Sequence, residues 1–100
     1  MNKEQQIVEM KKLKNIGNSI AKRLVNIGIT SPDMLKELGA KEVYLRFFEK
    51  EGWSDSLCPC FLYALEGAIT DERWNQISEK KKQACRDFSK ALRKSLPVQQ

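Results

Sequence analysis

The sequence contains no histidine, the residue most often used as a general base, a proton shuttle or a zinc ligand. It also has no phosphate-binding loop of the Gly-x-Gly-x-x-Gly or Walker type. No stretch approaches the ~18 consecutive apolar residues of a membrane span, and the polar start lacks the apolar core of a signal peptide. We therefore expect a cytoplasmic protein that is not an enzyme and has no cofactor and no membrane segment.

Cysteine is scarce, with Cys58, Cys60 and Cys85 as its three occurrences. An odd number is a poor disulfide framework, and a single residue between Cys58 and Cys60 is too short a spacing for a zinc knuckle. Without histidine there is nothing to complete a mixed metal site. The sequence predicts that the cysteines are small buried apolar side chains rather than metal ligands or redox centres.

Apolar residues recur three and four positions apart, and no segment alternates with the period of a strand. This pattern predicts an all-α fold, a compact bundle of five to six short helices. Capping residues and glycines place the helices at about 4–13, from Asn18 or Ser19 to Gly28, 32–38, 40–51, 56–69 and 79–95. The fifth helix is apolar on most sides and should be central.

We expect one domain over residues 1–100, with a core from about 7 to 95 and flexible ends. Tyr44 and Tyr63 are assigned to this core because they lie within apolar helical stripes. Trp53 and Trp74 are also assigned to the core, with a role as exposed anchors for a partner as the alternative.

The segment that joins the first two predicted helices resembles a helix-hairpin-helix motif. That motif has a glycine, an apolar residue and a glycine, then a small residue four positions later, and Asn15, Ile16, Gly17 and Ala21 take these places. A tight hairpin needs backbone at positive φ, which we expect Gly17 to supply and Asn15 to tolerate. Ile16 should anchor the hairpin in the core, and Ala21 should let the two helices approach closely.

Such a hairpin directs backbone N–H groups outward at the start of its second helix, where they can bind an anion. Between Glu9 and Asp33 there are five basic residues and no acidic one, within a chain of net charge +5. Phosphate contacts there would be salt-sensitive and largely independent of base sequence. The predicted nucleic-acid-binding residues are Lys14, Asn15, Gly17, Asn18, Ser19, Lys22 and Arg23.

A purely architectural role for the hairpin remains open. Asn15 replaces the first glycine of the motif, and Asn18-Ser19 replaces the Pro-Lys type of sequence that often follows the second. The last predicted helix carries a second basic row, Lys82, Arg86, Lys90 and Arg93, which we interpret as a solvated face.

Several blocks together are similar to the C-terminal domain of the TfoX (Sxy) family. They are residues 13–17, 24–30 and 34–40, the run Leu-Tyr-Ala-Leu-Glu-Gly-Ala-Ile at 62–69, Trp74 and the lysine-rich last helix. The resemblance covers about residues 13–92. It implies a bacterial helical domain linked to regulation of competence genes for DNA uptake. Full-length members carry a further N-terminal domain, so we expect a stand-alone version here.

Two functional hypotheses follow. The first is a non-enzymatic domain associated with DNA or transcription regulation, which contacts phosphates through the hairpin and nearby basic residues. The second is a protein–protein interaction adaptor, for example for the transcription machinery, in which the hairpin is purely structural.

Overall fold

The structure is a computed structural model that describes residues 2–52 and 57–95 of the chain. Within these residues there are six helices and no strand: α1 (Lys3–Lys11), α2 (Asn18–Asn26), α3 (Pro32–Leu38), α4 (Ala40–Glu51), α5 (Pro59–Thr70) and α6 (Glu79–Lys94). The predicted all-α bundle is confirmed. Of the expected flexible ends, residues 1–6 and 96–100, Met1 and residues 96–100 lie outside the described residues, as do Trp53 and Ser56. Residues 2–6 are described and include the start of α1.

Local capping signals explain where most helices begin. The side chains of Asn2, Ser31 and Ser78 accept hydrogen bonds from backbone N–H groups in the first turns of α1, α3 and α6. α5 begins at Pro59, later than the predicted residue 56, because proline is preset for the first helical position. Gly52 ends α4 at a φ of 73°, a conformation that glycine adopts without steric cost.

The core lies around α5, as its apolar composition predicts. Leu62 and Leu65 are fully buried there, and α4 contributes the fully buried Val43, Tyr44 and Phe47. α5 packs against both α4 and α6, whereas α1 packs against α2 and α3 packs against α4. None of the helices in the described part of the chain is long and apolar enough to cross a membrane.

The predicted burial is wrong for Trp74 and Cys60 and only partly right for Cys58. Trp74 keeps 49% of its surface exposed, because it lies in the irregular segment between α5 and α6, where Ile77 is the residue that faces the core. Cys60 is exposed and Cys58 half-buried, because both stand at the N-terminal end of α5 rather than along its buried face. Cys85 is buried as predicted, and burial raises the pKa of its thiol to about 11.

Tyr44 and Tyr63 are buried as predicted, and the Tyr44 hydroxyl finds polar partners inside the core. It donates to the carbonyl oxygen of Leu57 and lies 2.8 Å from the hydroxyl oxygen of Ser89 on α6. Ser89 is 1% exposed and stands among the apolar residues of α6. Burial is the main cause that raises the pKa of Tyr44, so the phenol is neutral at physiological pH.

Candidate nucleic-acid interface

Residues 12–17 connect α1 to α2 and form the α1–α2 hairpin. Its positive φ belongs to Asn15, at 70°, whereas Gly17 has an ordinary extended conformation with φ −89° and ψ −174°. The expectation that Gly17 supplies the positive φ is therefore wrong. Ile16 is 3% exposed and Ala21 is fully buried, so both side chains belong to the core.

Asn15 binds three backbone groups that lie far along the chain. Its side-chain Nδ2 donates to the carbonyl oxygens of Glu72, at 2.9 Å, and Ala64, at 3.3 Å. Its Oδ1 accepts from the backbone N–H of Trp74 at 2.9 Å. The side chain thus joins the α1–α2 hairpin to α5 and to the segment after it, and its polar atoms point toward the protein.

Lys14 makes the neighbouring contact with the C-terminal end of α5. Its Nζ donates to the carbonyl oxygen of Asp71 at 3.0 Å and lies 3.4 Å from the Asp71 carboxylate. Both side chains are substantially exposed, at 46% and 85%. Exposed ion pairs contribute only about 0–1 kcal/mol, so a competing anion can replace Asp71 at little cost.

Arg23 is held against the core. Its Nη2 lies 3.1 Å from the Glu51 carboxylate, and its guanidinium carbon lies 5.0 Å from the centre of the Phe47 ring and 5.2 Å from that of Phe61. An arginine stacked on aromatic faces gains cation–π attraction and buries its stem. Arg23 therefore connects α2 to α4 and α5, which the sequence pattern did not predict.

The four other predicted binding residues are exposed and lie together at the start of α2. Gly17 is the N-cap, Asn18 and Ser19 are the first two helical residues, and Lys22 follows one turn later. No side chain at the N-cap position accepts a hydrogen bond from the backbone N–H groups of the first turn, and that turn contains no acidic residue. Lys22 forms no ion pair with any residue of the ranges 2–52 and 57–95.

A groove of about 390 Å³ opens beside this turn. Its apolar walls come from Ile20 of α2, Phe61 and Ala64 of α5, and Trp74. Cys60, Arg23 and Asn15 complete the lining, so the described lining contains one formal charge, which is positive. Helical periodicity could not reveal the contribution of Trp74, because Trp74 is outside the helices.

The described residues include no group of three or more histidine, cysteine, aspartate or glutamate side chains that could hold a metal ion. The arrangement around α2 is instead suited to non-covalent recognition. It combines an exposed helix N-terminus, a nearby lysine and an apolar groove.

The fold and this surface define a small all-helical domain with a basic α1–α2 hairpin. The sequence profile of the TfoX C-terminal domain family matches residues 7–88, and the chain belongs to that family. The resemblance seen in the sequence is thereby confirmed.

Two crystal structures of proteins from Listeria monocytogenes are similar to this chain. An uncharacterized protein in a triclinic crystal form is 38% identical, with a TM-score of 0.77 over 84% of this chain and 92% of that one. A protein of unknown function in a tetragonal form is also 38% identical, with a TM-score of 0.75 over 82% of this chain and 98% of the other. Comparison with curated proteins gave no match.

Proposed function

We propose that this protein is a non-enzymatic regulatory domain of the bacterial cytoplasm that contacts nucleic-acid phosphates through the first turn of α2. The observation that carries the proposal is the exposed, uncapped start of α2 within a segment free of acidic residues from Lys11 to Pro32. Membership of the TfoX C-terminal domain family supports the regulatory part, through the link to competence genes that the sequence resemblance implies.

The physical basis is the unsatisfied start of a helix. The first N–H groups of any α-helix have no acceptor within the helix, and the helix dipole places partial positive charge there. In α2 the N-cap is Gly17, which has no side chain to accept from these groups. A phosphate oxygen is the acceptor that both effects favour.

The proposed interface is smaller than the sequence suggested. Gly17, Asn18, Ser19 and Lys22 form its centre, and Lys14 at the edge can exchange Asp71 for a phosphate. Asn15 and Arg23 act as positioning residues, since their polar groups are held by backbone groups or by Glu51.

Fluorescence anisotropy with a labelled DNA duplex across a salt series tests the proposal. With Lys22 engaged, and Lys14 at the edge, the slope of log affinity against log salt should be about −1 to −2. Lys22→Glu should weaken binding at least tenfold at low salt, because it replaces an attraction to phosphate with a repulsion. Lys36→Glu, the same change at an exposed position of α3, is the matched control and should have a much smaller effect.

Gly17→Asp separates phosphate binding from folding. A Cβ at Gly17 meets no atom within 4 Å, and the φ of −89° suits any residue. Aspartate is a good N-cap, so the variant should be as stable as the wild type or more stable by a few tenths of a kcal/mol. Its carboxylate should nevertheless abolish DNA binding by occupying the N–H groups. A stable Gly17→Asp protein that binds DNA normally would refute the proposed interface.

The second candidate is a protein–protein adaptor for the transcription machinery. The internal hydrogen bonds of Asn15 and the packing of Arg23 favour it, because they give the α1–α2 hairpin a sufficient structural purpose. A pull-down from nuclease-treated bacterial lysate, followed by reconstitution with the captured protein, tests this candidate. It is supported if a purified partner binds in the absence of nucleic acid, and it fails if every captured protein is lost on nuclease treatment.

A further inference from the structure

We propose that the groove beside α2 holds one unstacked nucleobase, so that the domain prefers single-stranded nucleic acid to duplex. This inference rests on the proposed function, because it takes phosphate contact at the start of α2 as given. It goes further in naming the form of nucleic acid and the residues that select it, chiefly Trp74.

The groove and the phosphate-binding turn share a wall. Ile20 is the third residue of α2, directly after the exposed Asn18 and Ser19, and its side chain lines the groove. Asn15 lines the same groove from the α1–α2 hairpin and holds the backbone N–H of Trp74 at 2.9 Å. A nucleotide presents a phosphate and a flat aromatic base within one unit, so a strand anchored at the turn brings a base to the groove.

The chemistry of the lining fits a base. Trp74 offers a half-exposed indole, while Phe61, Ala64 and Ile20 provide apolar walls. Every base has a π face, and stacking on an aromatic side chain is independent of base identity. The cavity of about 390 Å³ is near the lower end of the 300–1,000 Å³ range of small-ligand sites, a size that suits one flat ring system.

Charge also favours a strand of nucleic acid over an apolar peptide. No carboxylate is among the described lining residues, and the exposed Lys22 lies on α2, which borders the groove. A polyanion with exposed bases satisfies both Lys22 and the apolar walls. In a duplex the bases are stacked on each other, so entry into the groove would require unstacking. This cost is much smaller in a single strand, where no base pair must be broken.

Tryptophan fluorescence provides the direct test. Trp53→Phe leaves Trp74 as the single tryptophan, and a short oligothymidine strand should quench its emission, whereas an abasic strand of equal length should not. Trp74→Ala should lower affinity for oligothymidine roughly 5- to 100-fold and leave duplex affinity within a factor of two, because stacking is lost and phosphate contacts remain. Trp74→Phe should restore most of the loss. Urea denaturation confirms that the variants are folded.

Protection of Cys60 provides a second, independent measurement. In a Cys58→Ser/Cys85→Ala background, the exposed Cys60 in the groove wall is the remaining thiol, and oligothymidine should slow its alkylation severalfold.

Three outcomes would overturn the proposal. If duplex and oligothymidine bind alike and Trp74→Ala changes neither, the base site fails while the proposed phosphate contact stands. If neither nucleic acid binds, both fail. If a leucine-rich acidic peptide protects Cys60 and oligothymidine does not, the groove belongs to a protein partner.

Discussion

At the scale of single residues, Asn15 has the greatest influence on the arrangement of the proposed site. A residue at a φ of 70° is usually glycine, and asparagine is among the few others that tolerate this conformation. The hydrogen bonds of its side-chain amide outweigh the small conformational cost, because each contributes about 0.5–1.5 kcal/mol to stability. The bond to the N–H of Trp74 also fixes the groove wall relative to α2.

Gly67 is the residue that makes this contact possible. A Cβ at Gly67 would lie 2.3 Å from the carbonyl oxygen of Glu72 and 2.5 Å from Nδ2 of Asn15. Glycine to alanine within a helix normally stabilises by about 0.5–1 kcal/mol. We expect Gly67→Ala to do the reverse and lower the free energy of unfolding by about 1–3 kcal/mol, because backbone and amide must shift. Urea denaturation measures the effect.

Gly17→Ala is the matched control for this prediction. It has open space around the added Cβ and an ordinary φ, so its cost should be limited to a poorer N-cap, about 1 kcal/mol or less. A Gly67→Ala protein as stable as the wild type would show that the close approach of Asn15 is not required for folding.

These residues also show what the sequence could not predict. The pattern around Ile16 and Ala21 correctly predicted that both residues are buried, because apolar spacing and residue size are local properties. The exchange of roles between Asn15 and Gly17 depends on acceptors at Ala64 and Glu72, which are 49 and 57 positions away along the chain. No local pattern encodes a partner at that separation.

At the scale of elements, the polar contacts of Tyr44 join three parts of the core. α4 contributes the phenol, the segment before α5 contributes the Leu57 carbonyl, and α6 contributes the Ser89 hydroxyl. Buried polar groups of this kind are costly when one partner is removed. They also specify how α4 and α6 are aligned, which apolar contacts alone leave less defined.

A double-mutant cycle measures this coupling. We expect Tyr44→Phe to destabilise by about 1–3 kcal/mol, because it leaves the Leu57 carbonyl and the Ser89 hydroxyl without their partner. Tyr44→Phe and Ser89→Ala together should cost less than the sum of the single changes, by about 0.5–2 kcal/mol. Tyr63→Phe is the control, since the Tyr63 hydroxyl accepts from the more exposed Arg86 at 2.9 Å. Additive single effects would show that the two hydroxyls do not interact.

Helix positions were predictable because their signals are local. Ser31, Pro32 and Gly39 bound α3 at the predicted residues, and α4 extends from Ala40 to Glu51 as its apolar stripe indicates. Trp74 was placed wrongly for the opposite reason. It belongs to a non-helical segment, where periodicity carries no information about which side chain faces the core.

At the scale of the whole molecule, some of the positive charges form ion pairs within the fold and others are exposed to solvent. Arg23 of α2 pairs with Glu51 of α4, and Arg86 pairs with Glu79 within α6, whereas Lys22 remains exposed. Pairing with Arg86 lowers the pKa of Glu79, which keeps that carboxylate ionised well into the acidic range. A count of all basic residues therefore overestimates how many can contact phosphate. The salt dependence of binding should reflect only the basic residues that are not held in internal ion pairs.

Cys60 and Cys85 differ in solvent exposure, and their reactivity can report on folding of the whole domain. Cys60 is exposed and should react with a disulfide reagent in the native protein at pH 8. Cys85 is fully buried, and its pKa of about 11 keeps it protonated at that pH, whereas a thiolate is the reacting form.

We therefore expect Cys85 to react only through global unfolding, with a rate that rises with urea in step with the unfolding transition. The pH dependence has a defined sign, since the folded state favours the protonated thiol. That contribution to stability is complete below the unfolded thiol pKa of about 9 and is lost as pH rises toward 11. Labelling followed by mass spectrometry, in a Cys58→Ser background, separates the two thiols. If Cys85 reacts as fast as Cys60 without urea, the contact of α6 with the core opens locally, and the domain does not unfold as one cooperative unit.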